Sequence, residues 1–263
     1  MSCAQLQSFR GQNLPPEVSA GSQALNAGDA KAADIQFQKV FKSNNLDDSL
    51  AVVVVCQSVK NWPLTMKYAD QALLLFPKAE PEKQVFLLMS LGTAHLNLGE
   101  SKKATENAEQ ALKVLPDHFS TLNGLGYMYA EVYDPERPGE MIKLLTAVKM
   151  IDSAIAKARE ANISDPEMGA LVDSQGWVQY KLKSYKDSVS ILNRAATLAP
   201  DQPELQYHLG MALIKVENRD QALIALERAI KLEPGFKAAI AAKMELTGRP
   251  VNIPKPNILQ PRI

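Results

Sequence analysis

Glycine, alanine and proline recur in this chain at one interval. Gly176 and Gly210, Ala195 and Ala229, and Pro200 and Pro234 are each 34 residues apart. Upstream, Gly92 and Gly126 keep that spacing, Ala111 and Pro116 stand where the same template places them, and Ala72 and Pro77 repeat its ending. A fixed period of this length marks a supersecondary unit stacked on copies of itself, because one such unit cannot bury its apolar face alone.

The clearest unit is "PELQYHLGMALIKVENRDQALIALERAIKLEPGF", residues 203–236. Leu205, Leu209, Ala212 and Leu213 recur at three- and four-residue steps. "VENRD" makes a turn, after which Ala222, Leu223, Leu226, Ala229 and Ile230 recur in the same way. This spacing predicts two amphipathic helices. Pro234 ends the second, since it lacks an amide donor and restricts the residue before it. Gly210 and Ala229 are small enough to let the helices approach closely. The set Leu209–Gly210, Ala222, Leu226, Ala229 and Pro234 resembles the tetratricopeptide repeat family, in the form found in bacterial proteins. The resemblance covers most of the chain. It implies an all-α fold, an α-solenoid wound as a right-handed superhelix. In that layout the first helix of each pair lines a concave groove and the second covers the outside.

About six helix-turn-helix repeats are expected within a solenoid spanning 14–248. They fall at 14–45, where Gly21, Gly28, Ala33 and Phe37 are the best matches, and at 46–79, where Val52 and Val53 replace Leu–Gly. After a linker beginning at 80 ("EPEKQ") come 85–118 and 119–168, the latter with an insertion near 131–146. Repeats at 169–202 and 203–236 follow, with a capping helix at 237–247. Residues 1–13 form an N-terminal extension, and the tail 249–263, with four prolines, is expected to be extended. The insertion either lengthens a helix pair or offers "MIKLL" as a contact surface. The tail either stays free or folds back along the stack.

Composition narrows the function classes. Lys plus Arg and Asp plus Glu are 29 each, so the basic excess of a nucleic-acid binder is missing. Two cysteines, Cys3 and Cys56, make neither a disulfide framework nor a zinc ligand set. The longest apolar run, "LAVVVVC" at 50–56, is far short of a membrane span. The first twenty residues lack a basic-then-apolar signal layout, so the chain reads as soluble and cytoplasmic. The alternative is a periplasmic or membrane-anchored lipoprotein, if Cys3 follows a removed signal peptide. No catalytic constellation stands out. "GLGYMY" lacks a third glycine, and neither H-E-x-x-H nor G-x-S-x-G occurs. His95 reads as a packing histidine and His118 as a turn residue. No cofactor or metal is expected, and the chain is not read as an enzyme.

A candidate binding face emerges from the helical wheel, on which each residue turns by about 100°. In repeat five Leu171, Gln175, Val178 and Leu182 share one face, while Asp173, Trp177 and Tyr180 lie nearly opposite with Lys181 at the edge. The same places hold Tyr207, Met211 and Ile214 in repeat six, with His208 and Lys215 adjacent, and Asn123, Tyr127 and Ala130 in repeat four. Two readings stand open. The aromatics pack between neighbouring first helices, or they form the floor on which a partner peptide lies. The expected partner contacts are Asn123, Tyr127, Asp173, Trp177, Tyr180, Tyr207, His208 and Met211. Some family members clamp a chaperone's C-terminal carboxylates with lysines, asparagine and arginine. Met89, Thr93, Gly124, Ala170 and Ser174 at the equivalent places give no such clamp. The function expected is a non-enzymatic scaffold that binds a protein or peptide partner in the concave groove and supports assembly of a larger complex. The alternative is an accessory or regulatory subunit of an enzyme or of envelope or secretion machinery.

Overall fold

A computed structural model describes residues 14–248. The N-terminal extension with Cys3, and the tail from 249, lie outside the described residues. Those residues form thirteen α-helices and no strand. Twelve pair as hairpins: α1 (Pro16–Asn26) with α2 (Ala30–Lys42), α3 (Leu46–Ser58) with α4 (Trp62–Leu75), and α5 (Pro81–Asn97) with α6 (Ser101–Val114). Then come α7 (Phe119–Glu131) with α8 (Glu140–Glu160), α9 (Asp165–Lys181) with α10 (Tyr185–Leu198), and α11 (Pro203–Lys215) with α12 (Arg219–Leu232). α13 (Lys237–Thr247) follows alone. The chain divides within α8 into two units, one ending at Lys157 and one beginning at Ala158. No helix among the described residues is long and apolar enough to cross a membrane.

The hairpin turns share one backbone device. Just before each second helix the chain passes through a positive φ, at Gly28 (80°), Lys60 (56°), Gly99 (79°), Gly139 (84°), Lys183 (63°) and Glu217 (60°). This left-handed step reverses the chain within three residues in five of the six turns. Asp29, Asn61 and Asn218 then cap the following helix, each accepting from a backbone N–H three residues on.

In the first unit, Val18, Phe37, Leu50, Val52 and Tyr68 are fully buried. Phe37 meets Tyr68 edge-on at 5.6 Å, and the Tyr68 hydroxyl donates to the Asp34 carboxylate at 2.7 Å. α3 buries most of its circumference, which explains its run of valines: one side faces α4 and the others face α1, α2 and α5. Burial, with Asp34 nearby, pushes the Cys56 thiol up to about 12, and this cysteine packs as a small apolar residue. α8 buries Leu144, Ala147, Ile151 and Ala154 at helical spacing. A Cβ at Gly126 of α7 would lie 2.7 Å from Ile151 Cγ1, so the hairpin closes only around a glycine.

The second unit repeats that contact. A Cβ at Gly176 would stand 2.6 Å from Leu192 Cγ, and one at Gly210 would stand 2.9 Å from Leu226. α13 covers the open end with Ala239, Ala242 and Leu246, and the Arg219 guanidinium donates to the Leu246 carbonyl. Within each unit the first helix of one hairpin also packs on the next first helix: α1, α3, α5 and α7 in one, and α9, α11 and α13 in the other.

Three local features differ from the expectation. The linker expected from residue 80 is the first turn of α5, a helix of 17 residues, and α9 likewise starts early at Asp165. Pro81 and Pro166 sit in the first turns, where a missing amide donor costs nothing. The insertion divides between a loop at 132–139 and the first turns of α8, where Met141, Ile142 and Leu145 are exposed.

Candidate partner-binding face

The face is built from the first helices of the second unit. Asp173, Trp177 and Tyr180 rise from α9 at four- and three-residue steps, so they stand on one side of the helix. Tyr207, His208 and Met211 rise from α11 beside them.

The deepest layer is a closed polar and aromatic cluster. Asp173 and His208 are both buried, and His208 Nδ1 lies 2.8 Å from Asp173 Oδ2 and 3.1 Å from Oδ1. An ionised carboxylate can only accept, so Nδ1 carries the proton and donates. Trp177, 6% exposed, stacks on the His208 ring with centroids 4.1 Å apart and planes 17° from parallel. Tyr180 also lies parallel to it at 4.6 Å and 6°, and the Lys181 ammonium is 5.0 Å from the ring centroid. The carboxylate meets His208 edge-on and the indole meets it face-on. Asp173 and Trp177 thus fasten α11 to α9.

The outer layer is half-buried. It comprises Tyr180, Tyr207, Met211 and Ile214, with Phe236 beyond. Tyr207 packs at 5.2 Å from Phe236 and 6.5 Å from Trp177. Burial, joined by Tyr185, Tyr207 and Glu245, pushes the Tyr180 hydroxyl up to about 12. It therefore remains a hydrogen-bond donor throughout the physiological range.

The expected contacts thus sort by depth. Asp173, Trp177 and His208 pack between neighbouring first helices. Tyr180, Tyr207 and Met211 form a half-exposed ledge above them. Asn123 and Tyr127, both half-buried, occupy the corresponding side of α7 in the first unit. There Asn123 Oδ1 is buried without a hydrogen-bond partner, and the Met89 side chain lies against Gly124. The other histidines have structural partners. His95 Nδ1 lies 2.6 Å from Glu100, and His118 caps α7 through its Nδ1. Among the described residues no group of three or more His, Cys, Asp or Glu is placed to hold a metal ion. Phe236 was missing from the expected contacts. It lies in the turn after Pro234, outside the helical periodicity, so only its nearness to Tyr207 reveals it.

A tetratricopeptide repeat family model matches residues 203–236, the hairpin of α11 and α12. That hairpin is a tetratricopeptide repeat. The chain is 27% identical over 128 residues to the protein CTR9 homolog of Arabidopsis thaliana, covering 48% of this chain and 12% of that one. It is also 27% identical over 168 residues to the BBSome complex member BBS4 of Bos taurus, covering 63% and 29%. The chain therefore spans less than a third of either relative. Among solved structures it shares its fold with a thermophilic tetratricopeptide repeat protein of Thermus thermophilus. The TM-score is 0.62 at 20% identity, over 77% of this chain and 98% of that one.

Proposed function

We propose that this protein is a non-enzymatic interaction scaffold whose partner lies on the first-helix face of the second unit. The observation that carries this reading is the two-layer construction. A buried Asp173–His208–Trp177 cluster supports a half-exposed ledge of Tyr180, Tyr207 and Met211. Aromatics fixed from beneath offer large contact area at little further entropic cost, the property that concentrates binding energy in a few residues. Asn123 and Tyr127 offer a second contact of the same kind in the first unit. A bovine relative is by name a member of a complex, which agrees with a role in assembly.

The test is affinity capture from the source organism's extract, with captured proteins quantified by mass spectrometry. A Tyr180→Ala, Tyr207→Ala variant is compared with Ile224→Ala, which alters an exposed residue of α12. The ledge variant is expected to retain less than about a tenth of the partner, while Ile224→Ala retains it all. Equal yields from both variants would sink the assignment.

A further inference from the structure

At the turn end of hairpins five and six lies a cleft of about 380 Å³, lined by Lys183, Tyr185, Lys186, Lys215, Val216 and Glu217. It continues the ledge, since the Tyr185 ring meets Tyr180 at 5.5 Å in an edge-on contact and Tyr180 is stacked on Trp177. Lys183, Lys186 and Lys215 are exposed and make no ion pair among the described residues. Lys181, over the Trp177 ring, adds a fourth positive charge at the junction of ledge and cleft. Acids stand near it as well. Glu217 lines the cleft, Asp187 accepts from the Ser184 hydroxyl at 2.7 Å, and Glu245 acts on Tyr180. Formal charge over the whole chain is zero, so this concentration of lysine beside an aromatic ledge is a local arrangement.

We infer that the cleft receives the acidic end of the partner: an extended peptide segment with apolar or aromatic residues on Tyr180, Tyr207 and Met211. Its Asp or Glu carboxylates pair with Lys183, Lys186 and Lys215. This rests on the reading of the ledge as a binding face and adds the partner's chemistry and direction. Charge complementarity argues for the acid. Lysines at a rim steer an oppositely charged segment in and reject like-charged ones, fixing its direction along the apolar floor. Nucleic acid fits less well, because the chain as a whole carries no basic excess and Trp177, buried against Tyr180 and His208, offers no face to a base.

The probe is an array of 12-residue peptides, each joining an apolar aromatic half to an acidic, neutral amide or basic half. Fluorescein-labelled dT12 is measured in parallel, and both are exposed to the full chain at low and high salt. Acidic members are expected to bind best and basic ones least. Lys183→Gln, Lys186→Gln, Lys215→Gln together should weaken acidic members by about tenfold, the sum of three exposed ion pairs, and flatten the salt dependence. Tyr207→Ala should weaken acidic and neutral members alike. Equal binding of acidic and basic members, or an unchanged triple variant, overturns the inference while leaving the ledge reading intact. No binding by any member overturns both. Tighter binding of dT12 than of acidic peptides also overturns it, with a nucleic acid as the occupant.

Discussion

Trp177→Ala is expected to destabilise the second unit by about 3–5 kcal/mol, the range for truncating a buried large aromatic. The indole is 6% exposed, and it contributes one face of the stack holding His208 and the surface on which Tyr180 lies. Removing it leaves a hole between α9 and α11, flanked by Tyr180 and Tyr207, which also pack on the neighbouring apolar cluster. The measurement is urea unfolding followed by far-ultraviolet circular dichroism. The midpoint should fall, with much less change for Tyr207→Ala, whose ring is half-buried. A loss below about 1 kcal/mol for Trp177→Ala would mean that the indole is a surface residue. The tryptophan is therefore a poor choice for probing binding, because its removal disturbs the support as well as the surface. Tyr180 and Tyr207 are the informative positions.

The second large effect is expected at the buried hydrogen-bonded pair of Asp173 and His208. Asp173→Ala strands the His208 N–H in a buried site, at a cost of about 3 kcal/mol. The double variant Asp173→Ala, His208→Leu should recover most of that loss, because replacing both partners by apolar groups removes the unmet hydrogen bond as well as the pair. A double-mutant cycle measured by the same unfolding transition gives the coupling. If Asp173→Ala alone is neutral, the pair does not fasten the hairpins. If the double variant is as unstable as the sum of the singles, the two residues act independently.

Much of this architecture was legible in the sequence, for a physical reason. Gly176 and Gly210 occupy one register because each meets a leucine of its own second helix, so the contact and the repeat are one fact. The depth of Trp177 was not legible. A helical wheel drawn for one hairpin recognises only the face turned toward its own second helix. A first helix within a stack has another buried side, turned toward the next first helix. α9 accordingly buries Val172, Asp173, Ser174 and Trp177 as well as Leu171 and Val178. The partner of Asp173 was hidden too, since Asp173 and His208 are 35 residues apart, one off the period. The early starts of α5 and α9 escaped because "PEKQ" and "DPEM" carry no apolar rhythm. A proline there reads equally well as the end of one helix or the first turn of the next.

The central claim is that a partner lies on the first-helix face of the second unit. It is tested most directly by photocrosslinking in the source organism, with p-benzoylphenylalanine placed at position 211 on α11 or at position 224 on α12. The account predicts a discrete protein adduct from position 211 and none from position 224. An adduct from position 224 with none from position 211 would contradict it.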